Sequence, residues 1–367
     1  MHKFFTSTFD ASIYLQQPEQ NTGRDEILEV GKLYYGSTMD VARTLIKFNT
    51  TQISQSIVES IGTGSYSVFL NLKSANSEEI PLEYTLYANA VSQSWTMGTG
   101  TKFDNISSEG VSWYYKNGTD KWMNYTITPD AYVSGSDTGS LLNGGGGTWY
   151  TASMASQSFS NEPDDIRMDI TNIVKLWISG SNRLTNDGMI LHHHTSASLN
   201  TDINDYGVLK FFSKETNTIY EPKLELVWDD SLFTTGSLTP VTGSASDDYK
   251  VVVTNLKNEY SKDTKIKIRV KGRDMFPYKT FGTTFGYDQA KYLPSGSTYY
   301  QIEDYITDEI IVPFGDYSKL SCDSTSNYFN LDTSTYAADR VYRLKIKILQ
   351  NGITDIIDDK LTFKIVE

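Results

Sequence analysis

Every second residue from Ile266 to Val270 is apolar, and the positions around them carry Lys265, Lys267, Arg269 and Lys271. A period of two puts one kind of side chain on each face of a strand, whereas a helix would scatter both kinds around its axis. Val341 to Ile348 repeats the design, with Tyr342, Leu344, Ile346 and Ile348 alternating with Arg343, Lys345 and Lys347. Tyr299 to Asp304, Glu309 to Phe314, Tyr328 to Leu331 and Leu361 to Val366 are shorter runs rich in β-branched and aromatic residues. A chain with so many half-buried strands must fold by stacking sheets.

The first half shows the same signature with one interruption. Ser12 to Leu15, Glu26 to Gly31, Ala42 to Phe48, Ser67 to Leu72 and Leu82 to Ala88 are strand candidates separated by turn residues. Asp164 to Thr171 alternates, and then Ile173, Val174 and Trp177 recur at helical spacing. Asp169 or Thr171 is placed to cap that helix, and Ser179-Gly180-Ser181 to end it. Asn186-Asp187-Gly188 is a turn that needs positive φ, and Met189 to Leu191, Tyr206 to Glu215 and Tyr220 to Trp228 are further strands. Helices are otherwise almost absent. The expected class is all-β: an N-terminal β-sandwich with one short helix, then a second sandwich of about seven strands, immunoglobulin-like in its count.

At 367 residues and 38% hydrophobic content, the chain can bury at least two cores. The polar stretch Thr239 to Asp248 has no apolar period and sets the expected division into 1–240 and 241–367. A formal charge of −13 argues against phosphate attraction, so nucleic acid is not an expected partner. No window approaches the roughly 20 apolar residues that cross a bilayer, and Met1 to Phe5 lacks a signal-peptide pattern, so the reading is a soluble chain made in a cytoplasm without membrane insertion. Cys322, the single cysteine, cannot form an internal disulfide and reads as a small buried residue.

Chemistry-bearing patterns are few. In an extended strand His192 and His194 share a face while His193 points away, a weak metal-site candidate if Asp202 or Asp205 comes near; otherwise the strand is polar and partly exposed. His2 falls at an end expected to fray, and no histidine accompanies Cys322 in its own domain to act as a base. The acidic pairs Asp164-Asp165, Asp229-Asp230, Asp247-Asp248 and Asp358-Asp359 read as solvated strand ends; loop aspartates offer oxygen ligands to a structural Ca²⁺, and no other cofactor is expected. Gly144 to Gly147 lacks the lysine and helix of a phosphate cradle. Trp95, Trp113 and Trp177 suit a core, whereas Trp122 and Trp149 flank the long loop and are the expected exposed pair, able to stack on a sugar or on another subunit. Lys265, Lys267, Arg269 and Lys271 form a basic face that either keeps a sheet solvated or meets an acidic neighbour.

The order of signals carries a resemblance. Arg43 to Phe48, Leu82 to Ala88, Trp95, Val111 to Trp113, Asp169 to Trp177, Asn186 to Leu191, Phe212 to Glu215 and Pro222 to Val227 resemble the DNRLRE domain family over about residues 8 to 229, with an insertion from Tyr114 to Tyr150. The resemblance implies a jelly roll related to carbohydrate-binding modules. Gly272 to Phe281, Lys291 to Pro294, Ile311 to Phe314, Lys319 to Asp323 and Asn327 to Leu331 resemble the C-terminal module of virion structural proteins in tailed bacteriophages. That implies a non-enzymatic component of the tail, neck or baseplate, localised to the virion, with other virion proteins and copies of itself as partners. The alternative is a carbohydrate-binding surface or adhesion protein that recognises host surface glycans.

Overall fold

The computed structural model describes the chain apart from residues 36–37, 123–125, 128–130, 135–144, 161–164, 180–182, 194–203, 243–247 and 277–289, and side chains are left undescribed throughout 35–38 and 123–144. The chain forms two compact units. The first holds Phe4–Gly62 and Ser67–Leu226, and the second holds Met1–Lys3, Thr63–Tyr66 and Val227–Glu367. Both are built almost wholly from strands, as the two-residue period requires.

In chain order the front elements are β1 (His2–Tyr14), β2 (Ile27–Tyr35), β3 (Thr38–Phe48), α1 (Thr50–Ser60), β4 (Tyr66–Leu72), β5 (Glu83–Val91), β6 (Thr126–Ile127), β7 (Ala131–Ser134), β8 (Trp149–Ser160), β9 (Ile166–Asp169), α2 (Thr171–Ile178), β10 (Met189–His192), β11 (Gly207–Phe212) and β12 (Lys223–Trp228). The strands follow the hydrogen-bonded path β6-β7-β8-β5-β10-β3-β1-β12-β4-β9, and β11 and β2 branch from β3. β3 makes the branch by dividing its length: Thr44 to Ile46 pair with β10, while Thr38 to Ala42 pair with β2. At Ala42 the sheet is continuous across four strands, because Tyr14 of β1 and Gly31 of β2 lie on either side of it and Val208 of β11 lies beyond Gly31. Ala11, Ile13, Val41, Leu45 and Ile190 meet Trp95, Trp113, Trp122 and Trp149 in one buried cluster.

Among the described residues there are two α-helices rather than one. α2 lies where expected, burying Ile173, Val174 and Trp177, and the Asp169 carboxylate accepts the Thr171 amide at 2.9 Å. α1 is the addition. Asn49 caps it through the amides of Thr51 and Gln52, and only Ile53, Ser56 and Ile57 turn inward. Such a narrow stripe among Thr, Gln and Ser residues gives little period to read. The 114–150 insertion also contains short strands, since β7 pairs with β8. His2 is a buried residue of β1 rather than part of a loose end.

The second unit contains β13 (Tyr249–Val253), β14 (Glu259–Ser261), β15 (Lys265–Asp274), β16 (Thr298–Asp304), β17 (Ile310–Val312), β18 (Ser321–Cys322), β19 (Asn327–Asp332), β20 (Val341–Gln350) and β21 (Ile353–Val366). A four-stranded sheet, β13-β15-β19-β18, and a five-stranded sheet, β14-β21-β20-β16-β17, share one core. Ile268, Val270 and Phe329 come from the first and Tyr300, Ile346 and Phe363 from the second. Tyr300 and Phe329 stack with ring centres 4.2 Å apart. Among the described residues no helix is long and apolar enough to cross a membrane.

Candidate functional site

Trp122 and Trp149 are not an exposed pair: 4% and 1% of their surfaces are accessible, and both belong to the first unit's core. Trp122 satisfies its indole N–H by donating to the Ser112 carbonyl at 3.0 Å. The Arg43 guanidinium lies between two indoles, 4.9 Å from Trp113 and 5.1 Å from Trp149, and donates to the Gly146 carbonyl. A desolvated cation between two π faces gains a few kcal/mol, which offsets part of the burial of its charge. The glycine run makes this approach possible. Gly146 has φ +82°, and a Cβ there would stand 2.5 Å from Arg43 Nη1 and 2.8 Å from the Trp113 ring.

His192 and His193 are buried as well, not partly exposed, because β10 is an interior strand between β3 and β5. His192 Nε2 meets Asn89 Oδ1 at 3.0 Å and its ring stacks on Trp149 at 4.6 Å, while His193 stacks on Tyr206 at 5.2 Å. His194, Asp202 and the His194 half of the candidate metal pair lie outside the described residues. Among the described residues no three His, Cys, Asp or Glu side chains converge as a metal site would require.

The basic face of β15 has partners within its own unit. Arg269 grips Asp323 through both nitrogens, at 2.9 and 3.0 Å, and that hydrogen-bonded pair holds the Asp323 carboxyl well below the usual carboxylate range. Lys267 Nζ lies 3.9 Å from the centre of the Tyr328 ring and 3.6 Å from Asp323, and Lys265 reaches Asp332 at 4.0 Å. Burial, with the Asp323 charge, pushes the neighbouring Cys322 thiol up to about 11, so the thiolate is scarce at neutral pH. The acidic pairs are dispersed: Asp165 bonds Lys73, Asp229 bonds Ser231 and Lys319, and Asp358 pairs with Arg343.

A feature with no trace in the linear sequence lies on the polar face of β1, β3, β2 and β11. Directly opposed residues share a face, so Tyr14, Ala42, Gly31 and Val208 form one row, with Leu33–Asp40 and Glu29–Lys210 as the flanking pairs. The row is small at its centre and long-limbed around it, which leaves a cleft of about 230 Å³. Lys102 closes one side by pairing with Glu29 at 2.6 Å and lying 4.2 Å over the Tyr14 ring; Lys210 pairs with Glu78 at 2.6 Å. Lys32 directs its ammonium to the Asn204 carbonyl at 3.0 Å. Burial raises the carboxyls of Asp40 and Asp25, against the opposing influence of Lys102.

No family model matches the chain, and no curated protein matches it. Among solved structures, a β-glucuronidase of Parabacteroides merdae with glycerol in its active site is 10% identical, with a TM-score of 0.19; the match covers 82% of this chain and 28% of that one. A DUF4785 family protein of Legionella pneumophila is 7% identical with a TM-score of 0.19, the match covering all of this chain and 65% of that one. The chain therefore spans less than two thirds of the length of either structure.

Proposed function

We propose that this chain is a non-enzymatic structural component of a tailed bacteriophage virion, in the tail, neck or baseplate, acting through contacts with copies of itself and neighbouring virion proteins. The observation that carries the reading is the rigid apolar tip between β16 and β17. Tyr305, Ile306 and Ile310 are 54%, 72% and 53% exposed within six positions, and exposed apolar side chains gathered in this way suit a docking contact. The tip is held in shape. Buried Asp304 accepts the amides of Ile306 and Thr307 at 2.9 and 3.1 Å and is gripped by Arg340. Burial alone would raise the Asp304 carboxyl, but these hydrogen bonds outweigh it and hold the group below its ordinary range. A preordered contact loses little entropy on docking.

The sequence resemblance of residues 249 to 367 supplies the virion context. Trp122 and Trp149 were expected to stand in solvent and meet either a sugar or another subunit, and their burial removes them as support for both readings. Replacing Ile306 and Ile310 together by aspartate tests the proposal. The variant should stay folded, since both side chains face solvent, and should lose oligomer formation or incorporation into particles. Assembly equal to that of the parent would contradict it.

A further inference from the structure

We propose that the cleft over Ala42 and Gly31 binds a small organic cation, an ammonium or guanidinium head on a short aliphatic stem, with Asp40 as its counter-ion and the Tyr14 hydroxyl as a hydrogen-bond partner. This goes beyond the assembly role and does not depend on it. Two polar groups among the residues lining the same cleft are only weakly satisfied by the described residues. Tyr14 is 4% exposed and its hydroxyl makes no well-formed hydrogen bond, although Ser12 and Glu29 lie near enough to perturb its acidity. Among the described residues Asp40 forms no ion pair within contact distance: Lys102 acts on it only from further off, and the adjoining Val41 amide is its hydrogen-bond donor. Buried or half-buried groups of this kind are uncommon without a partner, and an incoming donor satisfies both.

The sign of the ligand follows from the pairing around it. Lys102 and Lys210 already pair with Glu29 and Glu78, and the Lys32 ammonium is engaged at the Asn204 carbonyl, so among the described residues an anion would meet Asp40 with no uncommitted lysine to receive it. A neutral polyol would leave Asp40 with only the influence of Lys102, whose ammonium is already paired with Glu29. A metal ion lacks the three converging ligands it needs among the described residues. An ammonium or guanidinium instead donates to Asp40 and to Tyr14 Oη at once, in charge-assisted hydrogen bonds. The floor suits a short hydrocarbon stem: Ala42 and Gly31 lie between Leu33 and Val208, and a Cβ at Gly31 would come within 3.0 Å of Val208 Cγ2 and 2.8 Å of the Gly207 carbonyl. Any larger residue at Gly31 would fill the space.

Titration calorimetry of the full chain tests the proposal with agmatine, which carries a guanidinium and an ammonium on a four-carbon stem, the uncharged N-butylurea, glucose, and the pentapeptide Gly-Gly-Arg-Gly-Gly with blocked ends. Agmatine should bind saturably at one site, and N-butylurea and glucose should not. Asp40→Asn should weaken agmatine by at least about tenfold and Tyr14→Phe by about threefold, whereas Asp359→Asn, which removes an exposed charge elsewhere, should leave it unchanged. Binding of agmatine but not the peptide assigns a free amine; binding of both assigns the side chain of another protein. Agmatine binding that is absent, that survives Asp40→Asn, or that Asp359→Asn reduces equally would overturn the site, as would tighter binding of glucose.

Discussion

Asp10 shows how a single buried charge tunes the first unit. Its carboxylate accepts from Ser7 Oγ at 3.2 Å and from the Lys214 amide at 2.8 Å, yet burial outweighs both and raises the group to about 6 from an ordinary value of 3.8. The folded state thus holds this proton more tightly than the unfolded chain does. Its stabilising contribution is complete below about 3.8 and is lost as pH rises through about 6, a difference of about 3 kcal/mol. Asp10→Asn keeps an acceptor oxygen and removes the charge. Urea unfolding should show the variant more stable than the parent at pH 7, with a flatter dependence between about pH 4 and 6; an unchanged slope would contradict the assignment. At this scale the sequence was least legible. Arg43 lies in Val41 to Phe48, a strand that also carries Thr44 and Lys47, so nothing in the linear order distinguished it as the cation that would need aromatic cover. Tyr14, Gly31, Asp40, Ala42 and Val208 carry no joint signal, because strand register alone brings them together.

Among the elements, β15 and β20 were readable because their period is uninterrupted, and α2 because Ile173, Val174 and Trp177 are large and correctly spaced. Trp122 and Trp149 were misplaced because adjacency to a long loop says nothing about which way the flanks turn, and the glycines that let the chain approach Arg43 read only as irregularity. The cations of β15 were legible as a face but not as partners of β19 and its approach. The Arg269–Asp323 side chains are 26% and 29% exposed, so their coupling should be modest, about 1 kcal/mol, and screened by salt. A double-mutant cycle with Arg269→Ala and Asp323→Ala in low and high salt measures it. Coupling that vanishes at low salt would make the stripe a solvated face, and coupling that persists makes β15 a stiffened one. Lys267, 3.6 Å from Asp323, is expected to take over part of the interaction when Arg269 is removed.

For the molecule as a whole, alternation in both halves foretold an all-β chain, and two strand-built units are what formed. A two-residue period specifies which side of a strand is wet but not what meets the wet side, so surface function was the hardest part to read. The interiors are closed by packing: nine strands in two sheets share one core in the second unit, and four tryptophans fill the first. The proposed contact lies outside these interiors, where Tyr305, Ile306 and Ile310 stand exposed on a braced turn. Electron imaging of the purified full chain, with its mass determined over a range of concentrations, tests that conclusion most directly. Repeated copies in a closed ring or regular fibre, touching through the Tyr305 to Ile310 tip, are the predicted result; a single-chain species at every concentration, with that tip in solvent, would contradict it.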